Sequence, residues 1–170
     1  MDRRIKKTKR AIYAAYFRAK HNIPTERPSV KEICALADIN KTTFYRYFDD
    51  IDALIHSLIA DAVSTMLIDD LKVEYLLTDP ESYFKQVVER HKMYDKEYSL
   101  LFNDNPNTFI FEAESIIKSK LIETTDKRYD DILLTFIAGG AAHFFIETNY
   151  YDENNLNKFC RIVKAAVTAL

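Results

Sequence analysis

Two glycines in 170 residues, adjacent at Gly139 and Gly140, constrain this chain more than any other feature. A dinucleotide-binding loop needs three spaced glycines, a P-loop two spaced ones, and a nucleophile elbow two flanking a serine. An EF-hand loop needs one amid spaced Asp or Asn. None of these can be written with a single Gly-Gly pair. Four prolines add little more turn chemistry. A chain this poor in turn residues favours long helices over a many-stranded sheet. With 48% hydrophobic and 29% charged residues, it has the apolar mass for a core, as one domain or two small ones. The expected fold class is all-α.

The net charge of −2 conceals a division. Residues 1–48 hold 12 Lys/Arg against 4 Asp/Glu, a net of +8, and residues 49–170 hold 12 against 22, a net of −10. Such asymmetry fits an N-terminal part that faces a polyanion, or a solvated basic face. Cys34 and Cys160 stand far apart in apolar helical patterns, without zinc or redox spacing, and read as small core residues. The longest apolar stretch, from Thr135 to Ile146, is far short of the roughly 18 residues of a membrane span. The charged N-terminus has no apolar segment after it. The expected location is the cytoplasm, with no membrane partner and no cofactor or metal.

Helical periodicity runs through both parts. Ile5, Ile12, Ala15, Tyr16 and Ala19 mark a first helix over 4–20, led by a cluster of Arg3, Arg4, Lys6, Lys7, Lys9 and Arg10. Pro24 and Pro28 break the chain after it. Ser29 followed by Glu32 is a capping box, opening a short helix to Ala37. Asn40 then caps a second short helix to about Phe48. Asp49, Asp50 or Asp52 can cap a linking helix to about Asp70. Further helices are expected from Pro80, over 108–124, over 128–149 and over 156–170, with a break around Pro106.

Two short helices separated by about three residues are the helix-turn-helix arrangement, with Asn40–Phe48 as the recognition helix. At about 100° per residue, Phe44 and Phe48 share an inward face. Thr42, Thr43 and Arg46 lie opposite, and Tyr45 and Tyr47 flank them. That outer face offers hydroxyls and a guanidinium to base edges and phosphates, and Lys41 adds charge in the first turn. Backbone N–H groups above Ser29 suit a phosphate, and the leading basic cluster suits counterion release. The bland alternative is a helical hairpin with two core phenylalanines.

The string from Ser29 through Ile33, Ile39, Lys41, Thr42, Thr43, Phe44, Tyr45, Arg46, Tyr47 and Phe48, followed by Ala53-Leu54, resembles the N-terminal signature of the tetracycline-repressor-like (TetR) transcriptional regulators. The likeness covers about residues 4–60; beyond that it rests on length and helix order. It implies that Lys41, Thr42, Thr43, Tyr45 and Tyr47 approach double-stranded DNA, and that Phe44, Phe48, Ile33 and Ile39 hold the domain together. It further implies a helix-turn-helix domain over 1–48, and a linking helix plus ligand-binding and dimerisation domain over 49–170. Three positions depart from the pattern. Asp38 replaces the usual turn glycine, Thr42 replaces a small residue, and Ile51, amid Asp49, Asp50 and Asp52, replaces a basic one.

In the acidic part, the mid-helix Gly139-Gly140 costs stability unless close helix packing compensates. A four-helix dimer contact made by 130–148 and 156–169 of two chains is therefore expected, with Phe136, Gly139, Gly140, His143, Phe144, Phe159 and Val163 in it. The alternative is packing within one chain. His91, Tyr94, Tyr98, Phe102 and Phe109 are candidates for an inducer site, an aromatic lining with a polar orienting group. Aromatics at helical spacing are otherwise core. Catalysis finds no support: Glu112 and Glu114 do not share a helix face, and His91 with Asp95 lacks a third ligand. The competing reading is a protein- or membrane-interaction module with a basic amphipathic first helix.

Overall fold

A computed structural model describes residues 3–23, 27–68, 71–126, 128–147 and 152–169, with side chains for all of these except Arg3, Ile68 and 94–97. Every regular element among the described residues is helical. The chain divides into two compact units, Met1–Leu58 and Ile59–Leu170. The division falls inside the linking helix, which therefore belongs to both.

The first unit holds α1 (Arg3–Asn22), α2 (Val30–Ala37), α3 (Lys41–Tyr45) and the start of α4 (Ile51–Val63). Its core is the inward stripe of each helix: Ile12 and Tyr16 of α1, Ile33 of α2, Phe44 of α3, and Leu54 and Leu58 of α4, all buried. Ser29 closes the expected capping box, its hydroxyl accepting the Glu32 N–H at 3.3 Å and its N–H donating to the Glu32 carboxylate at 2.8 Å. α2 ends on Asp38, at φ 53° and ψ 51°, a left-handed conformation that Asp tolerates better than most residues. Arg18 of α1 donates to the Leu36 carbonyl near that same end, at 3.3 Å.

The expected recognition helix, Asn40–Phe48, is shorter than its periodicity suggests. Asn40 caps it, accepting the Thr43 N–H at 2.7 Å, but regular α-helix stops at Tyr45. The Arg46 N–H is shared between the Thr42 and Thr43 carbonyls, and the Tyr47 N–H turns to Phe44, so the chain tightens toward a 3₁₀ turn. Phe48 still reaches the core, 4% exposed, because its N–H returns to the Phe44 carbonyl. Of the three candidate caps for α4, Asp50 accepts the Ala53 N–H at 2.8 Å.

In the second unit α4 does not run on as α-helix to Asp70. It passes at Ser64–Ile68 into a π-helical turn. A short α5 (Tyr75–Thr78), which the helical periodicity does not mark, precedes α6 (Pro80–Asp104), α7 (Pro106–Thr125), α8 (Asp131–Glu147) and α9 (Glu153–Thr168). Asp79 caps α6 through the Ser82 N–H, and Pro80 and Pro106 each sit at a first helical position, where no N–H is needed. The expected break near Pro106 is thus a single residue, Asn105. α8 lies chiefly against α7, and α9 against α5, α6 and α8. Phe84 of α6 is the centre of the core, with ring centroids of Phe144, Phe145 and Phe159 between 5.4 and 5.9 Å away.

Candidate nucleic-acid interface

The α2–turn–α3 segment is a rigid platform for a small exposed set. Phe44 is wholly buried, with the Phe48 ring at 5.8 Å. Lys41, Thr42, Tyr45 and Arg46 are exposed, and Thr43 and Tyr47 are half-buried. Tyr45, the last residue of α3, is 52% exposed, its ring T-shaped against that of Phe44 with centroids 5.6 Å apart. Thr43 is the converse, its N–H drawn in by Asn40.

Ser29 does not offer the phosphate site expected of it. Its N–H and hydroxyl both donate to Glu32 Oε2, at 2.8 and 2.6 Å, so a carboxylate already stands where the anion would go. Those two bonds hold the Glu32 carboxyl below its ordinary value.

The basic cluster of α1 divides. Lys6, Lys7 and Arg10 are exposed. Lys9 is half-buried, its Nζ 3.3 Å from Ser57 Oγ and 5.4 Å above the Phe48 ring, so it braces α1 against the recognition segment and α4. Tyr13 joins the same contact through a 2.7 Å hydrogen bond with Ser57. The acidic run is also partly engaged. Asp50 is a cap, Asp52 pairs with Arg27, and Ile51 is 8% exposed and belongs to the core. An isoleucine here is a packing residue, so the absence of a basic one at position 51 reflects burial.

In the second unit three of the candidate inducer residues are packed against one another. Phe102 and Phe109 are buried with centroids 4.4 Å apart, and Tyr98 stacks on Phe102 at 5.9 Å, filling the corner between α6 and α7. His91 is buried, and the side chain of Tyr94 lies outside the described residues.

The expected dimer residues separate into two groups. A Cβ on Gly140 would meet Phe159 at 3.6 Å, and one on Gly139 would meet Glu114 at 3.6 Å, so both glycines face neighbours in their own chain. Phe144 stacks on Phe159 at 4.6 Å, and Val163 is buried. The close approach of α8 that the glycine pair suggested is therefore made to α7 and α9. Phe136 stays 60% exposed, on a face shared with Ile132 at 79%. His143 is exposed and donates from Nδ1 to the Gly139 carbonyl at 2.9 Å.

Among the described residues no helix is long and apolar enough to cross a membrane, and no three His, Cys, Asp or Glu side chains gather as metal ligands. No protein-family model, curated protein or solved structure matches the chain.

Proposed function

We propose that the chain is a sequence-specific DNA-binding transcriptional regulator of the tetracycline-repressor-like kind, with a helix-turn-helix reader in its first unit. The observation that carries this is the exposed set Lys41, Thr42, Tyr45 and Arg46, fixed by the buried Phe44 and Phe48 behind it. A backbone held this way need not be ordered on binding, so the entropy cost is confined to the side chains themselves. Lysine and arginine position on phosphates, and the hydroxyls of Thr42 and Tyr45 can donate to or accept from bases. Lys6, Lys7 and Arg10 supply the sequence-independent, salt-dependent part.

A homodimer would set two such segments in successive major grooves about one helical turn apart on a palindromic operator. Support for pairing comes from the exposed apolar side chains Ile132 and Phe136 of α8 and Ile162 of α9, since large apolar exposure marks interaction surfaces. Repression, relieved by a small-molecule inducer in the second unit, is the mode that the family resemblance implies.

The test is a gel shift with duplex selected for binding. Tyr45→Ala and Arg46→Ala should each weaken binding at least tenfold with helicity unchanged. Lys6→Ala with Lys7→Ala should flatten the salt dependence. Binding that no α3 substitution alters would refute the proposal.

A further inference from the structure

The second unit carries a cleft of about 500 Å³ where α7 turns into α8, lined by Ile122, Arg128, Tyr129, Asp130, Asp131 and Leu134. That volume is in the range of small-molecule sites. None of the candidate inducer residues lines it. Leu134 is buried, but Ile122 is 39% exposed, so the cleft leaves apolar surface in water.

One guanidinium and two carboxylates line the cleft within four consecutive residues, Arg128 to Asp131. Opposite charges this close in sequence could neutralise one another. Instead each is anchored elsewhere. Arg128 donates from Nε to the Thr125 carbonyl at the end of α7, at 3.0 Å. Asp130 accepts the Ile132 N–H in Oδ1 at 2.8 Å. Asp131 pairs through Oδ2 with Lys118 of α7 at 3.1 Å. Each anchor uses only part of the group. The guanidinium keeps both terminal nitrogens as donors, and each carboxylate keeps its second oxygen as an acceptor. Tyr129 is half-buried, and its hydroxyl has no hydrogen-bond partner among the described residues.

The cleft thus holds charges of both signs apart, beside exposed apolar surface. A ligand with a single charge would meet a like charge there as well as an opposite one, and like charges brought together are costly. A zwitterion meets both. Its carboxylate matches the paired donors of a guanidinium, and its ammonium matches the spare oxygens of Asp130 and Asp131. An apolar side chain would then cover Ile122.

We propose that this cleft binds an α-amino acid with an apolar side chain. The site goes beyond the DNA-binding reading and does not depend on it. The experiment is calorimetry and ligand-observed nuclear magnetic resonance on the full chain, with L-phenylalanine and L-leucine as probes. At least one should bind saturably at millimolar concentration or below. Phenethylamine, which lacks the carboxylate, and phenylpropionate, which lacks the ammonium, should each bind at least tenfold more weakly than phenylalanine.

Arg128→Met should weaken phenylalanine at least tenfold. Arg128→Lys should weaken it less, since it keeps the charge but not the paired donors. Asp130→Asn with Asp131→Asn should weaken phenylalanine at least tenfold yet tighten phenylpropionate, because the like charges are gone. An asparagine oxygen can still accept the Ile132 N–H, and circular dichroism checks the helicity of each variant. Should Arg128→Met fail to fold, Arg128→Lys and the double variant decide it. No saturable binding of either amino acid at millimolar concentration overturns the proposal. Phenethylamine or phenylpropionate binding as tightly as phenylalanine overturns it too, as does affinity that neither the arginine nor the aspartate substitutions alter.

Discussion

Replacing Gly140 by alanine separates the two roles open to the glycine pair. Neither glycine has a positive φ, so alanine meets no backbone strain at either position. At Gly140 the new Cβ would lie 3.6 Å from Phe159 Cε2 and 3.9 Å from Cζ, ordinary contact distances that require no displacement. Glycine within a helix costs about 1 kcal/mol against alanine, from backbone freedom lost on folding. The added methyl also gains contact with the Phe159 ring. Gly140→Ala should therefore stabilise the chain by about 0.5–1 kcal/mol. For a chain of this size that raises Tm by roughly 1–4 °C. Thermal melts followed by circular dichroism measure this directly, and sedimentation at the same concentrations reports association. A fall in Tm, or conversion of an associated species to monomer, would refute the reasoning. The second result would mean that the Cβ collides with something outside the chain, as close glycine packing across a dimer would require.

Other substitutions read other parts of the structure. Phe44→Ala empties a fully buried site beneath α3 and should cost about 3–5 kcal/mol. Urea denaturation followed by near-ultraviolet circular dichroism should show the first unit lost at lower denaturant. Ser29→Ala removes the α2 cap, at a cost of about 1 kcal/mol by the same assay. The Glu32 carboxyl is held below its ordinary 4.5 by Ser29, so its contribution is present above that value and lost as pH falls through its lower folded value. Ser29→Ala should accordingly lessen the loss of stability between neutral and acid pH. Burial raises the Cys34 thiol and pushes Cys160 up to about 11. Native protein at pH 8 should thus resist alkylation at both sites, whereas unfolded protein should label fully; rapid native labelling of Cys160 would contradict its packing.

The elements most legible in the sequence were those fixed by local chemistry. Ser29 with Glu32, Asn40, and Asp79 with Pro80 each name a helix start through groups within four residues of one another, and each cap forms as its spacing requires. The inward faces of Phe44 and Phe48 followed from the helical period alone. What depends on distant partners was not legible. The early end of α3 is set by a shared Arg46 N–H, which no pattern encodes. The π turn is gripped from α6, where Tyr83 and Arg90 donate to the Leu67 and Thr65 carbonyls from 16 and 25 residues away in sequence. The spacing of Phe102 and Phe109 is the same for a pocket lining as for two rings in contact, and only the 4.4 Å between their centroids distinguishes the two. Ile51 looked like a lost basic residue because charge context is visible in a sequence and burial at a helix start is not.

The central claim is that Lys41, Thr42, Tyr45 and Arg46 read DNA sequence. Selection of bound duplexes from a random pool tests it most directly. A palindrome with half-sites about one helical turn apart should be recovered. The same pool put through Tyr45→Ala should yield a relaxed motif. A pool that remains random after repeated rounds, or a motif identical with Tyr45→Ala, would contradict it.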